Sequence, residues 1–357
     1  MNVVDVLFAL LILFFLWSFT VRRGLRQLSC TRAFSRSAVF EGESAEIIEV
    51  VRNDRPFLIP WLRVESRISP YLRLGRQDNL HFSGDMYYCS FFTLMPYQQI
   101  KRRHHVTFLR RGAYDLGNAA LTTGDIFGLG QFSRNQELSA PVLVYPRILE
   151  PEELPLPVSR LLGELTRRNL LLTDPFLVKG IREYQPGDPV RDIHWPATAR
   201  TGQTQVRIHD ITAQTKLLVV LNVQPQDLQW TNYIADTHAD MVEAGIRIAA
   251  SLCLYALRSG LSAGFAANMP MGEALDSTLL LPAPGSAREE ELLEAFARLQ
   301  LKCGQRFPML LEALSGQKGL DILILSAYDS DSIQAGIQKL QQNGNQVTLH
   351  LLEGGGQ

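Results

Sequence analysis

The segment Ile181–Trp195, IREYQPGDPVRDIHW, carries side chains that could bind a ligand or do chemistry. Its charged residues are Arg182, Glu183, Asp188, Arg191 and Asp192, and Arg200 follows the segment closely. Arginine binds carboxylates through paired hydrogen bonds, and arginine and tryptophan are frequent anchors of protein interfaces. The segment is therefore either an ionic clamp, with Trp195 as a hydrophobic plug, or a surface that recognises a protein. The chemistry alone favours the clamp.

Turn chemistry predicts the local structure of this segment. Gln185–Asp188 suits a type II turn, because proline presets the first central dihedral and glycine tolerates the positive second one. Asp188 is then placed to cap a short helix that begins at Pro189. Because Pro196 disfavours helical geometry at Trp195, that helix is predicted to end there.

A serine nucleophile is an alternative site. Residues Gly260–Gly264 fit the pattern G-x-S-x-G, with Ser262 at its centre. A nucleophile elbow needs a strand before the serine and a helix after it, whereas here the predicted order is reversed. The pairs His209–Asp210 and His238–Asp240 have no convincing serine or cysteine partner, and the chain has no P-loop or dinucleotide-binding glycine pattern.

Composition excludes several functional classes. Lys and Arg number 35 against 36 Asp and Glu, which leaves a net charge of −1 and no overall field to attract nucleic acid. The basic run Lys101–His105 flanks a β-like segment and is predicted to be a solvated strand edge. The four cysteines lie far apart without a C-x-x-C pair, so we expect neither a zinc site nor a disulfide framework.

The amino terminus predicts a membrane anchor. Val3–Val21 is an apolar run interrupted only by Asp5, and it is long enough to cross about 30 Å of hydrocarbon. The run is followed by Arg22, Arg23 and Arg26. Positive charge after the run disfavours a cleaved signal peptide and, by the positive-inside rule, keeps the body cytoplasmic. Residues 1–28 are therefore predicted to be a transmembrane anchor and basic flank of a single-pass protein of the cell membrane, in contact with the lipid bilayer.

Hydrophobic periodicity divides the remaining chain. Residues 35–147 contain short alternating runs such as Trp61–Ile68, separated by turn signals, and this predicts an antiparallel β-sandwich-like domain. Residues 151–214 contain a predicted linker helix, Val158–Arg168, followed by the charged segment. Residues 215–357 alternate buried-type strands with helices, which predicts an α/β domain with a mainly parallel sheet.

The stretch DPFLVKGIREYQPGDPVRDIHWPATARTGQTQVR resembles the signature of the bacterial domain of unknown function 58 (DUF58). The flanking pieces LRRGAYDLGNAALTTGDIFGL and PVLVYPRI resemble other parts of that family. The matching positions are Arg182, Glu183, Tyr184, Pro186, Gly187, Asp188, Arg191, His194, Trp195, Ala199 and Arg200. One departure is Pro196, where the family commonly has lysine.

The resemblance implies a fold and a partner. Family members are typically membrane-anchored, with a β-rich part and a von Willebrand factor A-like α/β part, and are often encoded beside MoxR-type AAA+ ATPases. Many begin with two hydrophobic helices, whereas this chain has room for one. A metal-binding domain of that type carries D-x-S-x-S after its first strand, where oxygen ligands hold Mg²⁺. The corresponding stretch here, Asn222–Gln226, lacks those ligands, so we expect no metal.

Together these observations predict a membrane-anchored, non-enzymatic protein-interaction or scaffold protein that works with a MoxR-type ATPase in assembly or maturation of other complexes. We expect it to need no cofactor and to bind no nucleic acid. The candidate binding residues are Arg182, Glu183, Tyr184, Gly187, Asp188, Arg191, Trp195 and Arg200. The alternatives are a serine hydrolase that uses Ser262 and a purely structural envelope protein.

Overall fold

The computed structural model describes residues 8, 28–75, 80–82, 87–124, 130–185, 188–211, 215–227, 233–272 and 277–352. The chain divides into two compact units, Met1–Arg147 and Ile148–Gln357. The described part of the first unit is a β-structure, and the second unit combines strands with helices.

Mainly antiparallel sheets build the first unit. Its strands are β1 (Leu28–Phe34), β2 (Ala38–Phe40), β3 (Ser44–Asn53), β4 (Ile59–Arg67), β5 (Leu72–Leu74), β6 (Leu80–Phe82), β7 (Tyr87–Leu94), β8 (Gln99–Phe108), β9 (Gly112–Asp115), β10 (Asn118–Gly124), β11 (Gln131–Glu137) and β12 (Pro141–Tyr145). They form sheets in the orders β1-β3-β8-β5, β11-β10-β4-β7-β6 and β2-β12-β9. Pairing is antiparallel within the two larger sheets, as predicted for a sandwich-like domain.

Alternating burial explains why these residues form strands. Along β3, the side chains of Ile47 and Val51 are buried, while the positions between them are more exposed, except at Glu49. Side chains that point inward in this way form two apolar clusters, one that contains Phe108 and one that contains Phe92. The first unit is therefore held together by burial of one face of each strand.

The basic run Lys101–His105 belongs to β8 and pairs with β3 along one side. In the described ranges, β5 pairs with β8 only at Val106–Phe108, beyond the run, so the run lies at a strand edge there as predicted. Only part of the run faces solvent, however. Side chains alternate across a strand, and the run is therefore divided between two faces. Arg102 and His104 point into the sandwich, where they lie near the buried Glu49. The outward side chains are Lys101, Arg103 and His105.

The second unit contains both strands and helices. Its strands are β13 (Thr173–Glu183), β14 (Gln205–Ile211), β15 (Lys216–Leu221), β16 (Ser262–Ala267), β17 (Thr278–Ala283), β18 (Asp321–Ser326) and β19 (Gln346–Leu351). Its helices are α1 (Leu156–Leu172), α2 (Trp195–Thr201), α3 (Asp236–Arg258), α4 (Ser286–Arg298), α5 (Phe307–Leu314) and α6 (Asp331–Gln342). Five strands form one sheet in the order β17-β16-β15-β18-β19, and β13 and β14 form a separate pair.

Helices cover both faces of the five-stranded sheet. Every residue of β15 except Lys216 is buried. Leu217, Val219 and Leu221 pack with the apolar side of α3, and the alternate residues pack with α5 and α6. A continuous apolar run is the pattern expected for a strand buried on both faces, and β15 pairs in parallel with both neighbours.

The predicted fold class is corrected in its von Willebrand factor A-like part. The described chain is mostly β-sheet, and antiparallel pairing predominates in the first unit. In the second unit the sheet is mixed, because the edge strand β17 pairs antiparallel with β16. No strand was predicted at β17, a short apolar run whose residues after the buried Thr278 are half-buried or exposed.

The predicted transmembrane anchor is corrected as well. Residues 1–28 lie outside the described residues apart from Phe8 and Leu28. No helix within the described ranges is long and apolar enough to cross a bilayer. The predicted single-pass location in the cell membrane, with a cytoplasmic body, therefore has no support in the structure.

Candidate functional site

The antiparallel ribbon of β13 and β14 carries the charged segment. Arg182 is paired with Val206, and Glu183 is paired with Gln205. The ribbon thus brings together the two ends of the connecting segment, residues 184–204. This connection, which we call the signature loop, contains the 3-10 turn and α2.

Arg182 and Asp188 form a bidentate ion pair within the signature loop. The two terminal nitrogens of Arg182 donate to the two carboxylate oxygens of Asp188, each over 2.7 Å. The same carboxylate accepts the backbone N–H of Gln185 over 2.8 Å. The hydrogen bond with Arg182 lowers the pKa of Asp188, and it raises the pKa of Arg182 in turn. This pair fastens the turn to the end of β13, as the clamp interpretation expects.

The predicted capping role of Asp188 is wrong. The helical turn that follows is a 3-10 helix, Val190–Asp192, and its N-cap Pro189 receives no side-chain hydrogen bond. The Asp188 carboxylate is engaged by Arg182 instead, because a guanidinium offers a stronger, charge-assisted partner than a backbone N–H. The centre of the predicted type II turn, Pro186 and Gly187, lies outside the described residues.

His194 caps the helix α2. Its Nδ1 accepts the N–H of Ala197 over 3.0 Å, and Pro196 lies in the first turn, where a missing N–H breaks no helical bond. Trp195 is therefore the first residue of a helix, while the preceding 3-10 turn already ends at Asp192. The predicted interruption exists, but it lies before the tryptophan.

Polar bonds rather than apolar packing attach α2 to the ribbon. The His194 N–H donates to the Gln205 carbonyl over 2.7 Å, and the Gln205 N–H donates to Thr198 Oγ1 over 2.9 Å. The Thr198 hydroxyl in turn donates to the His194 carbonyl over 3.1 Å. No residue of α2 is buried. Neither Thr198 nor the capping role of His194 was predicted, although a threonine four residues after a cap can make this backbone bond.

Large apolar side chains of the ribbon and the signature loop are exposed to solvent. Trp195 is 65% exposed and Val190 71%, and the exposed set also includes Ile181 and Tyr184. Trp195 is therefore not the predicted hydrophobic plug. The guanidinium of Arg191 is also exposed, and it lies 3.8 Å from Asp192. The loop combines an internal brace with an outward apolar and cationic surface.

The structure distributes the predicted binding residues between these two roles. Arg182 and Asp188 form the brace. Exposed on the ribbon and loop are Glu183, Tyr184, Arg191, Trp195 and Arg200. Gly187 lies outside the described residues. Ile181 and Val190 belong to the exposed surface but were not predicted, because single apolar residues between charges give no period that marks them as outward.

A second polar cluster lies where β15, β16 and β18 end. Asn222 Nδ2 donates to Ser326 Oγ over 3.0 Å, and Asn268 Nδ2 donates to Asn222 Oδ1 over 3.3 Å. The Val223 N–H donates to Asn268 Oδ1 over 2.9 Å. The cluster is buried and uncharged, and its amide oxygens already accept hydrogen bonds. A hard divalent cation would need carboxylate ligands, which the cluster does not supply. In the described ranges, no three His, Cys, Asp or Glu residues are grouped to hold a metal ion.

Ser262 lies at the start of β16 and is only 2% exposed. Its backbone N–H donates to the Thr215 carbonyl over 3.1 Å. The helix α3 precedes it, and the strand continues after it, so the local order is opposite to that of a nucleophile elbow. A substrate would have to displace the surrounding core to reach this hydroxyl.

Part of the chain matches a family of unknown function. Residues 180–290 match the model of the family described as "Protein of unknown function DUF58". This match includes the signature loop and confirms the resemblance over these residues. No curated protein matches the chain.

Several solved structures are similar to part of the chain. One is the CARDB domain of the PF1109 protein from Pyrococcus furiosus, in complex with di-metal ions, at 19% identity and a TM-score of 0.21, which covers 32% of this chain and 94% of that chain. A non-cellulosomal cohesin from Archaeoglobus fulgidus has 8% identity and a TM-score of 0.23, and covers 32% of this chain and 91% of its own. The seventh ScaB type I cohesin from Pseudobacteroides cellulosolvens has 9% identity and a TM-score of 0.23, and covers 34% and 94%.

Proposed function

We propose that this protein is a non-enzymatic protein-interaction or scaffold protein, and that the signature loop binds its partner. The observation that carries the proposal is the exposure of Trp195 on a loop braced by Arg182 and Asp188. Tryptophan supports such binding because its large ring can bury much apolar area against a partner, and it is enriched at protein interfaces.

The composition of the exposed surface supports protein binding. Tryptophan, tyrosine and arginine dominate the residues that contribute most to binding energy at interfaces, and Trp195, Tyr184 and Arg191 supply all three types. The brace supports the same function in another way. A loop that is already held by hydrogen bonds loses little conformational entropy when a partner binds.

The burial of Ser262 and the neutral amide cluster support a non-enzymatic function. An acyl-transfer enzyme needs an accessible nucleophile with a base in reach, and Ser262 is almost fully buried. A metal-dependent enzyme needs hard oxygen ligands, and Asn222 and Asn268 satisfy each other instead. A fluorophosphonate probe that labelled Ser262 in the native chain would argue for the hydrolase alternative.

We propose a MoxR-type AAA+ ATPase as the partner, in assembly or maturation of other complexes. This choice rests on the resemblance to DUF58, whose members are often encoded beside such ATPases, and on the match of residues 180–290 to that family. It requires the exposed loop to bind the ATPase directly.

Biolayer interferometry with the purified MoxR-type ATPase of the same genome tests the proposal. We expect saturable binding to the full chain and at least tenfold weaker binding by Trp195→Ala. The matched control is Met309→Ala, which removes another exposed apolar side chain, on α5, and should leave binding unchanged. Circular dichroism checks that both variants fold. Absence of binding by the parent chain, or equal losses in the two variants, would refute the proposal.

A further inference from the structure

The sheet β1-β3-β8-β5 of the first unit concentrates positive charge. Its four strands carry six permanently cationic side chains, Arg32, Arg52, Arg73, Lys101, Arg102 and Arg103. They carry two carboxylates, Glu46 and Glu49. The whole chain has a net charge of −1, so this excess is a local feature of one sheet.

The outward face of this sheet presents a row of cations. Lys101, Arg103 and His105 alternate along β8 and point away from the sandwich, about 7 Å apart from one to the next. Arg73 on β5 is paired with Thr107 and lies at one end of the row, and Arg52 on β3 is paired with Gln99 at the other. We call this surface the basic face.

Two cations of the basic face are not neutralised within the described ranges. Glu46 lies 3.2 Å from Arg103, and Asp54 lies 2.6 Å from Arg52. No ion pair is recorded for Lys101 or for the exposed Arg73 in the part of the chain that the structure describes. Within these ranges, Lys101 and Arg73 thus keep more of their positive charge for a partner than Arg52 and Arg103, which each share a carboxylate.

Charges beneath the sheet reinforce the basic face. Arg32 and Arg102 point inward on the same strands, and Glu49 is the one carboxylate among the inward side chains of these four strands. Arg102 Nη1 is buried without a hydrogen-bond partner in the described ranges. Charges held in a poorly solvated interior are weakly screened, so they add to the potential at the outer surface.

An uncharged strip runs beside the cations. Across the strands, Ala33 lies opposite Ile48, which lies opposite Arg103. In the next row, Thr31 lies opposite Val50, which lies opposite Lys101. Ile48 and Val50 are half-buried, and Ala33 and Thr31 are exposed. Neighbouring strands are about 4.8 Å apart, so a shallow strip some 10 Å wide, apolar apart from Thr31, adjoins the row of cations.

We infer that the basic face binds an acidic amphipathic helix of a protein partner, which places apolar residues on the strip and carboxylates against Lys101 and Arg103. Amphipathic helices pack readily on one face of a sheet, and opposite charges fix their position. This interaction goes beyond the proposed function, because it concerns the other unit of the chain and a different surface.

Nucleic acid fits the basic face less well. The outward positions of β1, β3 and β8 carry no phenylalanine, tyrosine or tryptophan on which bases could stack. The four permanent cations of the face, two of them paired with carboxylates, are fewer than the 6–10 phosphate contacts that support tight duplex binding. The apolar strip also has no counterpart on a phosphate backbone.

Fluorescence anisotropy with the full chain tests the inference. The probe is a labelled 18-residue helical peptide with leucine along one face and glutamate along the other. We expect it to bind, and we expect Lys101→Glu with Arg103→Glu to weaken binding at least tenfold, as does raising the salt concentration from 0.1 to 0.5 M. A peptide with lysine in place of glutamate should not bind.

A matched control separates the basic face from net charge. Lys302→Glu with Lys318→Glu changes the charge of the chain equally at exposed sites of the second unit, and should leave peptide binding unchanged. If the double glutamate variant of the basic face fails to fold, Lys101→Gln with Arg103→Gln provides a milder test. Equal losses in both pairs of variants would overturn the inference, as would undiminished binding by the basic-face variant. The inference would also be overturned if the parent chain bound a 20-base-pair DNA duplex, and the basic-face variant lost duplex binding but kept peptide binding.

Discussion

The guanidinium of Arg32 donates to the carboxylate of Glu49 over 2.9 Å, and both side chains are completely buried between the sheets of the first unit. A second Arg32 nitrogen donates to Ser66 Oγ over 2.9 Å. His104 completes the group, with Nε2 at 3.7 Å from the other carboxylate oxygen of Glu49. A buried ion pair need not add stability over an apolar pair, but removing one member leaves an uncompensated charge.

Glu49→Gln should destabilise the chain by about 3–5 kcal/mol, because it leaves the Arg32 guanidinium without a counter-ion inside the sandwich. Urea denaturation followed by circular dichroism measures the change. Glu46→Gln removes the same charge on the exposed face of the same strand and should cost at most about 1 kcal/mol. Equal effects of the two substitutions would contradict this account.

Stability should fall in acid through the same carboxylate. Burial alone would raise the pKa of Glu49, but the neighbouring His104 ring and the Arg32 guanidinium outweigh it and hold that pKa below the ordinary value of 4.5. A carboxyl with a depressed pKa in the folded chain stabilises above its unfolded pKa, and this contribution disappears as the pH falls through the folded value. Unfolding free energies measured from pH 7 to pH 3 should therefore decline below about pH 4.5. The decline should be shallower in Glu49→Gln, and an unchanged slope would count against the assignment.

The buried thiols should resist alkylation. Burial raises the pKa of Cys253 to about 12 and that of Cys303 to about 11, and both side chains are almost fully enclosed. The thiolate is the reactive form, so iodoacetamide at pH 8 should leave both unlabelled in the native chain and label both in urea. Peptide mass spectrometry reads the result. Native labelling of Cys253 at the rate seen in urea would show that its helix opens readily.

Asn222→Leu should destabilise the second unit by about 1–3 kcal/mol, because it leaves buried partners such as Asn268 Nδ2 and the Gln224 N–H without their acceptor. Chemical denaturation measures the loss. Gln226→Leu, four residues later and exposed, should change stability by no more than about 0.5 kcal/mol. Titration calorimetry of the parent chain should detect no micromolar binding of Mg²⁺, and a clear binding isotherm would refute the neutral-amide interpretation.

Asp188→Ala should loosen the signature loop without unfolding the chain. The substitution removes the acceptor of the Gln185 N–H and both bonds from Arg182, so hydrogen exchange around Gln185 should accelerate. Exchange in β15 should not change. Glu183→Ala removes an equal charge from the neighbouring strand end and serves as the control. Similar acceleration in both variants would show that the bidentate pair is not the brace.

Regular elements were predictable where one physical pattern dominates. The apolar run at β15 indicates a strand buried on both faces, and the spacing of apolar residues indicates the helix Asp236–Arg258; both are observed. The ends of the signature loop were harder to predict. Asp188 had two possible partners, and only the folded ribbon shows that Arg182 lies near enough to compete with the helix end.

Inward charges were beyond prediction for a related reason. Hydrophobic alternation marks the core face of β3 and β8, but Glu49, Arg102 and His104 occupy core positions with polar side chains. Their burial depends on charged or polar partners from other strands, and a single amino-acid sequence offers no signal for which strands bring such partners together. The antiparallel edge strand β17 was missed because its residues are half exposed and short apolar runs are ambiguous.

The 3-10 turn and α2 contribute no buried side chain, and polar bonds of His194 and Thr198 hold the helix in place. Most residues can therefore stand at the other outward positions without disturbing the structure beneath. A saturation library over Val190–Thr201 that leaves His194 and Thr198 unchanged would report recognition with little interference from misfolding. Evolution could therefore change the binding specificity of this protein while leaving the rest of the fold as it is.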